Sequence, residues 1–359
     1  MYCAGKLKEI KEVLQKGKVD GFLITNEINI RYITDFTGTE SILLITPDHD
    51  YLFTDFRYIE QAQKDVPWVR IVERKTSLIK IICGKLKRLH VKKLYVESPY
   101  ITFDQYREIT KNVRKIQIIP SQGIIEHYRR QKTKEEINKI QAAIDIAERA
   151  YQDTRKGIRI GLSEKKMADT LESKIRKRGG FRSSFEIICA VGPRASQPHA
   201  RPTDKKIQEG DVVLIDWGAS FQFYNSDLTR VCFIYKISPE FKRIYQIVLD
   251  AQSFAIDIVR PGIKAKDVDV AARNYIEKKG FGKYFGHGLG HGIGLEVHEG
   301  PFLNKKSREI LKEFMVFTIE PGIYIPGWGG IRIEDMVLVT PDGFKVLSHA
   351  PKKLAEIVI

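Results

Sequence analysis

Two apolar runs that end in an acid constrain this chain more than any other feature. Val212-Val213-Leu214-Ile215 closes on Asp216, and Val316-Phe317-Thr318-Ile319 closes on Glu320. Short, uninterrupted runs of this composition read as buried strands. An ionised carboxylate at the end of such a strand costs several kcal/mol unless something neutralises it. Each run also has a second acid downstream. Asp227 opens the next apolar run, Leu228 to Tyr235, and a hairpin across residues 221–226 would set Asp216 and Asp227 face to face. Glu334 sits in Ile331-Arg332-Ile333-Glu334-Asp335, where one strand over residues 331–340 would put Arg332 and Glu334 on the same side. A single acid at a strand end reads as a cap or turn residue. Two strand pairs with two inward acids each demand a counter-charge.

Between the pairs lies Gly286-His287-Gly288-Leu289-Gly290-His291-Gly292-Ile293-Gly294, followed by Leu295-Glu296-Val297-His298-Glu299. Glycine at every second position packs badly as a plain strand and lets the backbone pass close to a ligand. Four carboxylates with one imidazole form a hard, oxygen-rich donor set. It suits Mn²⁺, Co²⁺, Fe²⁺ or Zn²⁺ with bridging ligation rather than a thiolate site. Four negative charges match two divalent cations.

The first third alternates short strands (Gly21 to Thr25, Ser41 to Thr46) with helical patterns such as Phe56 to Val66. The pattern breaks at Pro120-Ser121-Gln122-Gly123, and a polar stretch follows, so the domain boundary is placed near residue 125: domains 1–125 and 126–359. Thr133-Lys134-Glu135-Glu136 is a capping box that starts a helix with Ile137, Ile140, Ile144, Ala147 and Tyr151 on one face. A second helix runs from Ser163 to Gly180-Phe181. The same order recurs from Glu240 to Val259 and from Asp267 to Gly280-Phe281, which predicts an internal duplication and an α+β fold.

Composition excludes more than it selects. The net charge of +15 is spread evenly, with 23 Lys and Arg against 16 Asp and Glu in residues 1–130 and 37 against 29 in the remainder. The densest cluster, Lys174 to Arg178, falls at a helix end, where cations suit the macrodipole, so no nucleic acid is expected as partner. The four cysteines, Cys3, Cys83, Cys189 and Cys232, lie far apart without metal-site or disulfide spacing. No apolar stretch approaches a membrane span, and the start leads into a charged helical pattern rather than a signal core. These readings favour a reducing cytoplasm.

The motifs Leu214 to Ala219, Ser226 to Arg230, His287 to Glu299, Thr318 to Tyr324 and Ile331 to Asp335 together resemble the pita-bread metallopeptidases, specifically the Xaa-Pro aminopeptidase (aminopeptidase P) and prolidase family. The resemblance spans the whole chain. It implies a pita-bread catalytic domain of pseudo-twofold halves behind a smaller α/β creatinase/prolidase-like domain. Its two divalent metals, Mn²⁺ or Co²⁺ before Zn²⁺ or Fe²⁺, would be held by Asp216, Asp227, His291, Glu320 and Glu334. It also implies His199, His287 and His298 as substrate-facing histidines, Glu320 as proton carrier, and Tyr324 and Arg332 as the pair that orients the ligands. The substrates would be peptides with proline second, and the assembly a homodimer. A prolidase takes dipeptides and needs a cation for the free proline carboxylate, yet Phe302 follows His298-Glu299-Gly300-Pro301 where many prolidases place Arg. On that residue the expectation is aminopeptidase P first, prolidase second, and a non-catalytic binding module last because no ligand position is lost.

Overall fold

The computed structural model describes residues 2–359, with side chains from Gly5 onward; Met1 and the Cys3 side chain therefore lie outside the described residues. The chain divides into two compact units, Met1–Tyr128 and Arg129–Ile359.

The first unit is a six-stranded mixed sheet formed by β1 (Gly21–Ile24), β2 (Ile42–Ile45), β3 (Asp50–Thr54), β4 (Arg70–Glu73), β5 (Lys93–Glu97) and β6 (Gln117–Ser121), in the order β4-β3-β2-β1-β5-β6. It carries helices α1 (Tyr2–Gly17), α2 (Glu27–Thr34), α3 (Ile59–Asp65), α4 (Leu78–Arg88) and α5 (Phe103–Asn112); α6 (Ile124–Arg129) ends at the division between the units. Phe56–Tyr58 is a 3-10 turn leading into α3, so the helical pattern expected from Phe56 begins as a tighter turn. Pro120 does not end the sheet. It sits in β6, an edge strand, where a missing N–H breaks no ladder on the open side.

Glu97, buried at the end of β5, accepts from the backbone N–H groups of Thr25 (2.7 Å) and Asn26 (2.9 Å) and from Asn29 Nδ2 (2.7 Å). Burial pushes its carboxyl up to about 7 against the pull of those donors, and neighbouring Glu126 adds to the rise. The folded unit therefore holds a proton that the unfolded chain releases near pH 4.3. The associated stability is present below that pH and lost as pH rises through about 7, at no more than about 1.4 kcal/mol per pH unit. Hydrogen-exchange protection of the β1 amides, corrected for intrinsic rate, should fall between pH 5 and 7, and Glu97→Gln should flatten that dependence.

In the second unit, α7 (Lys134–Arg155) starts at the expected capping box: Thr133 Oγ1 accepts from Glu136 N, and Glu136 Oε2 accepts from Thr133 N at 2.8 Å. Helix α8 (Glu164–Lys177) follows, then short β7 (Arg182–Ser183) and β8 (Ile188–Val191). Next come β9 (Val212–Trp217), β10 (Ala219–Phe221), β11 (Tyr224–Asn225) and β12 (Leu228–Phe233). The second half repeats a helix pair, α9 (Pro239–Asp257) and α10 (Ala265–Lys278). Its strands are β13 (Gly290–Gly292), β14 (Glu299–Leu303), β15 (Val316–Ile319), β16 (Gly322–Ile325), β17 (Gly329–Arg332), β18 (Asp335–Thr340) and β19 (Gly343–Val346).

The sheets run β12-β9-β8 and β14-β13-β15-β18-β19, with ribbons β11-β10-β7 and β16-β17. Helices α8 and α10 end alike. Gly180 N bonds Ile175 O around Gly179 (φ +98°), and Phe281 N bonds Ile276 O around Gly280 (φ +87°). The two halves thus match one residue out of step with the Gly180/Gly280 pairing suggested by sequence.

Strand β9 shows how the core leads to the acids. Val213, Ile215 and Trp217 pack against Tyr151 and Met167 of the α7–α8 pair, and Trp217 Nε1 donates to Ala147 O at 2.9 Å. Val212 and Leu214 point the other way, into the core that includes Ile244, Val248 and Ala272 of α9 and α10. Alternation then puts Asp216 on this second face. Both faces are buried, which is why the run lacks polar alternation.

Candidate metal centre

Asp216 stands opposite Thr229 in the β9–β12 ladder, not opposite Asp227. The expected face-to-face hairpin is therefore a diagonal pairing: β10 and β11 intervene, and Asp227 falls two residues from Thr229 on the same face. The expected strand over 331–340 is also two strands. It breaks at Ile333-Glu334, between β17, which pairs with β16, and β18, which pairs with β15. Glu334 sits in the break, where its N–H bonds Thr229 O at 3.2 Å and its side chain is 1 % exposed.

Two of the alternating glycines, Gly290 and Gly292, flank His291 in strand β13, which lies between β14 and β15. A Cβ on Gly290 would lie 1.9 Å from Thr318 O, and one on Gly292 would lie 2.1 Å from Gly300 O. Gly286, Gly288 and Gly290 line the cavity described next, as the expected backbone approach to a ligand requires, and the pair Gly290 and Gly292 also serves strand-to-strand approach. His291 projects from between them.

Asp216, Asp227, His291, Glu320 and Glu334 all line one cavity of about 1150 Å³. Asp227, His291 and Glu334 each offer a ligand atom within 4.8 Å of the others. His291 Nε2 is 3.7 Å from Asp227 Oδ2 and 3.3 Å from Glu320 Oε1. Its Nδ1 faces Gly292 O at 3.1 Å, which assigns the proton to Nδ1 and leaves Nε2 for the acids.

Burial pushes Asp216, Asp227 and Glu334 upward, and mutual repulsion among the acids adds to the rise. Burial also opposes ionisation of Glu320, but contact with His291 wins and holds that carboxyl down at about 2. Asp216 Oδ1 is buried without a hydrogen-bond partner among the described residues. An orphaned oxygen amid crowded carboxylates and one directed imidazole fits divalent cations, which would relieve both the repulsion and the missing contact.

Arg332 organises the wall. Its Nη2 donates to Asp216 Oδ2 at 2.5 Å, its Nη1 to the Tyr324 hydroxyl at 2.9 Å, and its Nε to Thr229 Oγ1 at 2.9 Å. Thr229 Oγ1 in turn donates to Glu334 Oε2 at 2.6 Å. His287 Nδ1 faces Gly288 O at 2.8 Å, so its Nε2 accepts from the Tyr324 hydroxyl at 3.0 Å. Burial lowers the His287 pKa, which suits this neutral tautomer. His298 lies with its ring 4.2 Å from that of His291, and burial followed by the His291 charge lowers its pKa. His199 is exposed on the cavity wall beside Pro198, whose carbonyl accepts from Arg332 Nη1 at 3.4 Å.

The comparisons with known proteins cover both units. Residues 138–341 match Metallopeptidase family M24, and residues 6–131 match the Creatinase/Prolidase N-terminal domain. The chain belongs to metallopeptidase family M24. A solved Xaa-Pro dipeptidase from Bacillus anthracis is 39% identical with a TM-score of 0.96, over 99% of this chain and 100% of that one. A solved X-Pro aminopeptidase from Thermotoga maritima is 36% identical with a TM-score of 0.91, over 98% and 99%. The Xaa-Pro dipeptidase of Pyrococcus horikoshii is 36% identical over 97% of this chain and 98% of its own length. The pita-bread fold and its duplicated halves follow from this membership.

Three parts of this M24 site escaped the sequence reading. Thr229 couples Arg332 to Glu334, and its only signal was a polar residue on the acid-bearing face of a buried strand. Thr318 accepts from His291 N at 3.1 Å and donates to Glu320 Oε1 at 3.3 Å. Glu299, next to His298, is buried between Arg129 and Lys132, with Lys132 Nζ 2.9 Å away. That buried triad anchors the His298 segment, and nothing local in the sequence pairs residues so far apart.

Among the described residues, Cys83, Cys189 and Cys232 are buried and unbridged, and no helix is long and apolar enough to cross a membrane.

Proposed function

We propose that this metallopeptidase is an Xaa-Pro dipeptidase that cleaves the bond before a C-terminal proline. The observation that carries the reading is the five-residue cluster of acids and His291 at one cavity, in a chain matched end to end by relatives named Xaa-Pro dipeptidases. Phe302 favours aminopeptidase P, but the relatives named Xaa-Pro dipeptidases support prolidase better. Phe302 and the Thermotoga X-Pro aminopeptidase support aminopeptidase action as the second reading.

In this reading Asp216, Asp227, His291, Glu320 and Glu334 hold the metals. Bound divalent cations would supply Lewis-acid polarisation of the scissile carbonyl and lower the pKa of the attacking water. The protein supplies the rest. Glu320 lines the cavity, and its Oε2 makes no hydrogen bond among the described residues. That oxygen can take the proton from attacking water and return it to the proline nitrogen as the C–N bond breaks. His298 and His199 donate to the substrate carbonyl as charge grows on its oxygen. Arg332 and Tyr324 hold Asp216 and His287 in place. The homodimer and the Mn²⁺ or Co²⁺ preference are part of the same proposal.

Substrate length tests it. Metal-loaded protein should cleave an Ala-Pro dipeptide with at least about 10-fold higher kcat/KM than Ala-Pro-Gly, since the longer substrate loses a charge-assisted hydrogen bond. Equal or better cleavage of the tripeptide would establish aminopeptidase action instead.

A further inference from the structure

We infer that Lys283 receives the free carboxylate of the substrate proline, an assignment that rests on the dipeptidase reading. A dipeptide carries that carboxylate just beyond the scissile bond. A carboxylate brought partly out of water needs a cation.

Phe302 cannot provide the charge. It pairs with His291 across the β13–β14 ladder, and directly opposed residues share a face, so both line the cavity. Its ring, 45 % exposed, offers the pyrrolidine an apolar surface.

Three other cations line the cavity: Arg201, Lys283 and Arg332. Arg332 is committed to Asp216, Tyr324 and Thr229 and is only 3 % exposed. Arg201 has Glu186 as neighbour, with Nε 3.7 Å from Oε2, and Glu186 lines the same cavity. An incoming carboxylate would meet that negative charge as well.

Lys283 makes no ion pair among the described residues. Its Nζ lies 4.8 Å from the Tyr284 ring centroid, a contact that leaves the ammonium charge unneutralised. It belongs to a 3-10 turn, Gly282–Tyr284, between α10 and the Gly-His segment. The turn packs against β16, which carries Tyr324, and the Tyr324 hydroxyl holds His287. The root of Lys283 is thus fixed relative to the reactive side chains, while its four-carbon stem is long enough to vary in reach. Lys283 with Phe302 therefore divides between two residues what one arginine would otherwise do.

The test compares Ala-Pro with its neutral C-terminal amide, Ala-Pro-NH₂, on the full metal-loaded chain. Wild-type protein should prefer the acid. Lys283→Gln should lower the acid-to-amide ratio of kcat/KM by about 10- to 100-fold, the range expected for one charged hydrogen bond, mainly through KM for the acid. Lys283→Arg should restore most of the ratio, and added salt should shrink the wild-type preference. Metal content and thermal unfolding of each variant establish that the ratio reports binding rather than folding. If wild type prefers the acid and Lys283→Gln leaves the ratio unchanged, the assignment is overturned while the dipeptidase reading stands. A fall produced by Arg201→Gln but not by Lys283→Gln also overturns it. If wild type shows no acid preference at all, the dipeptidase reading itself fails.

Discussion

Asp227→Ala and Glu334→Ala should each lower turnover of an Xaa-Pro substrate by at least about 10³-fold, because removing a ligand forfeits Lewis-acid stabilisation worth several kcal/mol. Metal analysis should show a lost equivalent in the same variants, and Asp216→Ala and His291→Ala should behave alike. The reason lies in the crowding. Asp227, His291 and Glu334 place ligand atoms within 4.8 Å of one another, and both carboxylates are almost wholly buried. Were they structural acids only, substitution would change stability and leave metal stoichiometry intact. His298→Ala and His199→Ala provide the contrast: both should keep their metals and lose about 10²- to 10³-fold in kcat, the range for one donor to a developing oxyanion. Full activity in any ligand variant would sink the assignment, and a lost metal equivalent in His298→Ala would move that residue among the ligands.

The second large effect is expected on stability. Arg230→Ala should cost about 3–5 kcal/mol, because it removes one partner of a buried ion pair and leaves the carbonyls it bonds unpaired, while Lys352 still holds Asp335. Arg230 is 1 % exposed. Its guanidinium donates to Asp335 Oδ1 at 2.7 Å, to Ala350 O at 2.9 Å, and to the carbonyls of Thr229 and Glu334. Despite the desolvation of full burial, Arg230 and Lys352 hold the Asp335 carboxyl down at about 2. The sign follows from that depression: the stability is present above the unfolded pKa near 3.9 and is lost as pH falls toward about 2. Urea denaturation at neutral pH should show the Arg230→Ala loss, and the difference from wild type should narrow below pH 4. An unchanged midpoint at neutral pH would mean that the pair contributes nothing net.

Arg230 and Asp335 also show where sequence reasoning stops. Both stand in motifs that carried the family resemblance, yet their partnership spans more than a hundred residues and has no local signature. The capping box at Thr133 and Glu136, by contrast, was legible because its two hydrogen bonds join residues three apart. The same holds for the helix faces of α7, whose 3.6-residue period is visible in Ile140, Ile144, Ala147 and Tyr151. Helix ends were legible to within a few residues through Ser163, Gly180 and Gly280, since capping and positive φ are properties of single positions, although the positive φ after α8 falls on Gly179.

What the chain determined by itself was the helix pairs of the second unit, the main apolar strands and the chemical character of the site. Periodicity and caps act over two to four residues, and an acid at the end of an apolar run carries its burial cost wherever the strand goes. The tertiary structure alone decided which acids meet. It set Asp216 against Thr229 rather than Asp227, broke the strand at Glu334, and used Gly290 and Gly292 for strand packing. It also placed Lys283 on the cavity wall that Phe302 leaves without charge. Each of these rests on contacts between separate segments, whose partners are chosen by sheet register and core packing and by nothing in the local sequence.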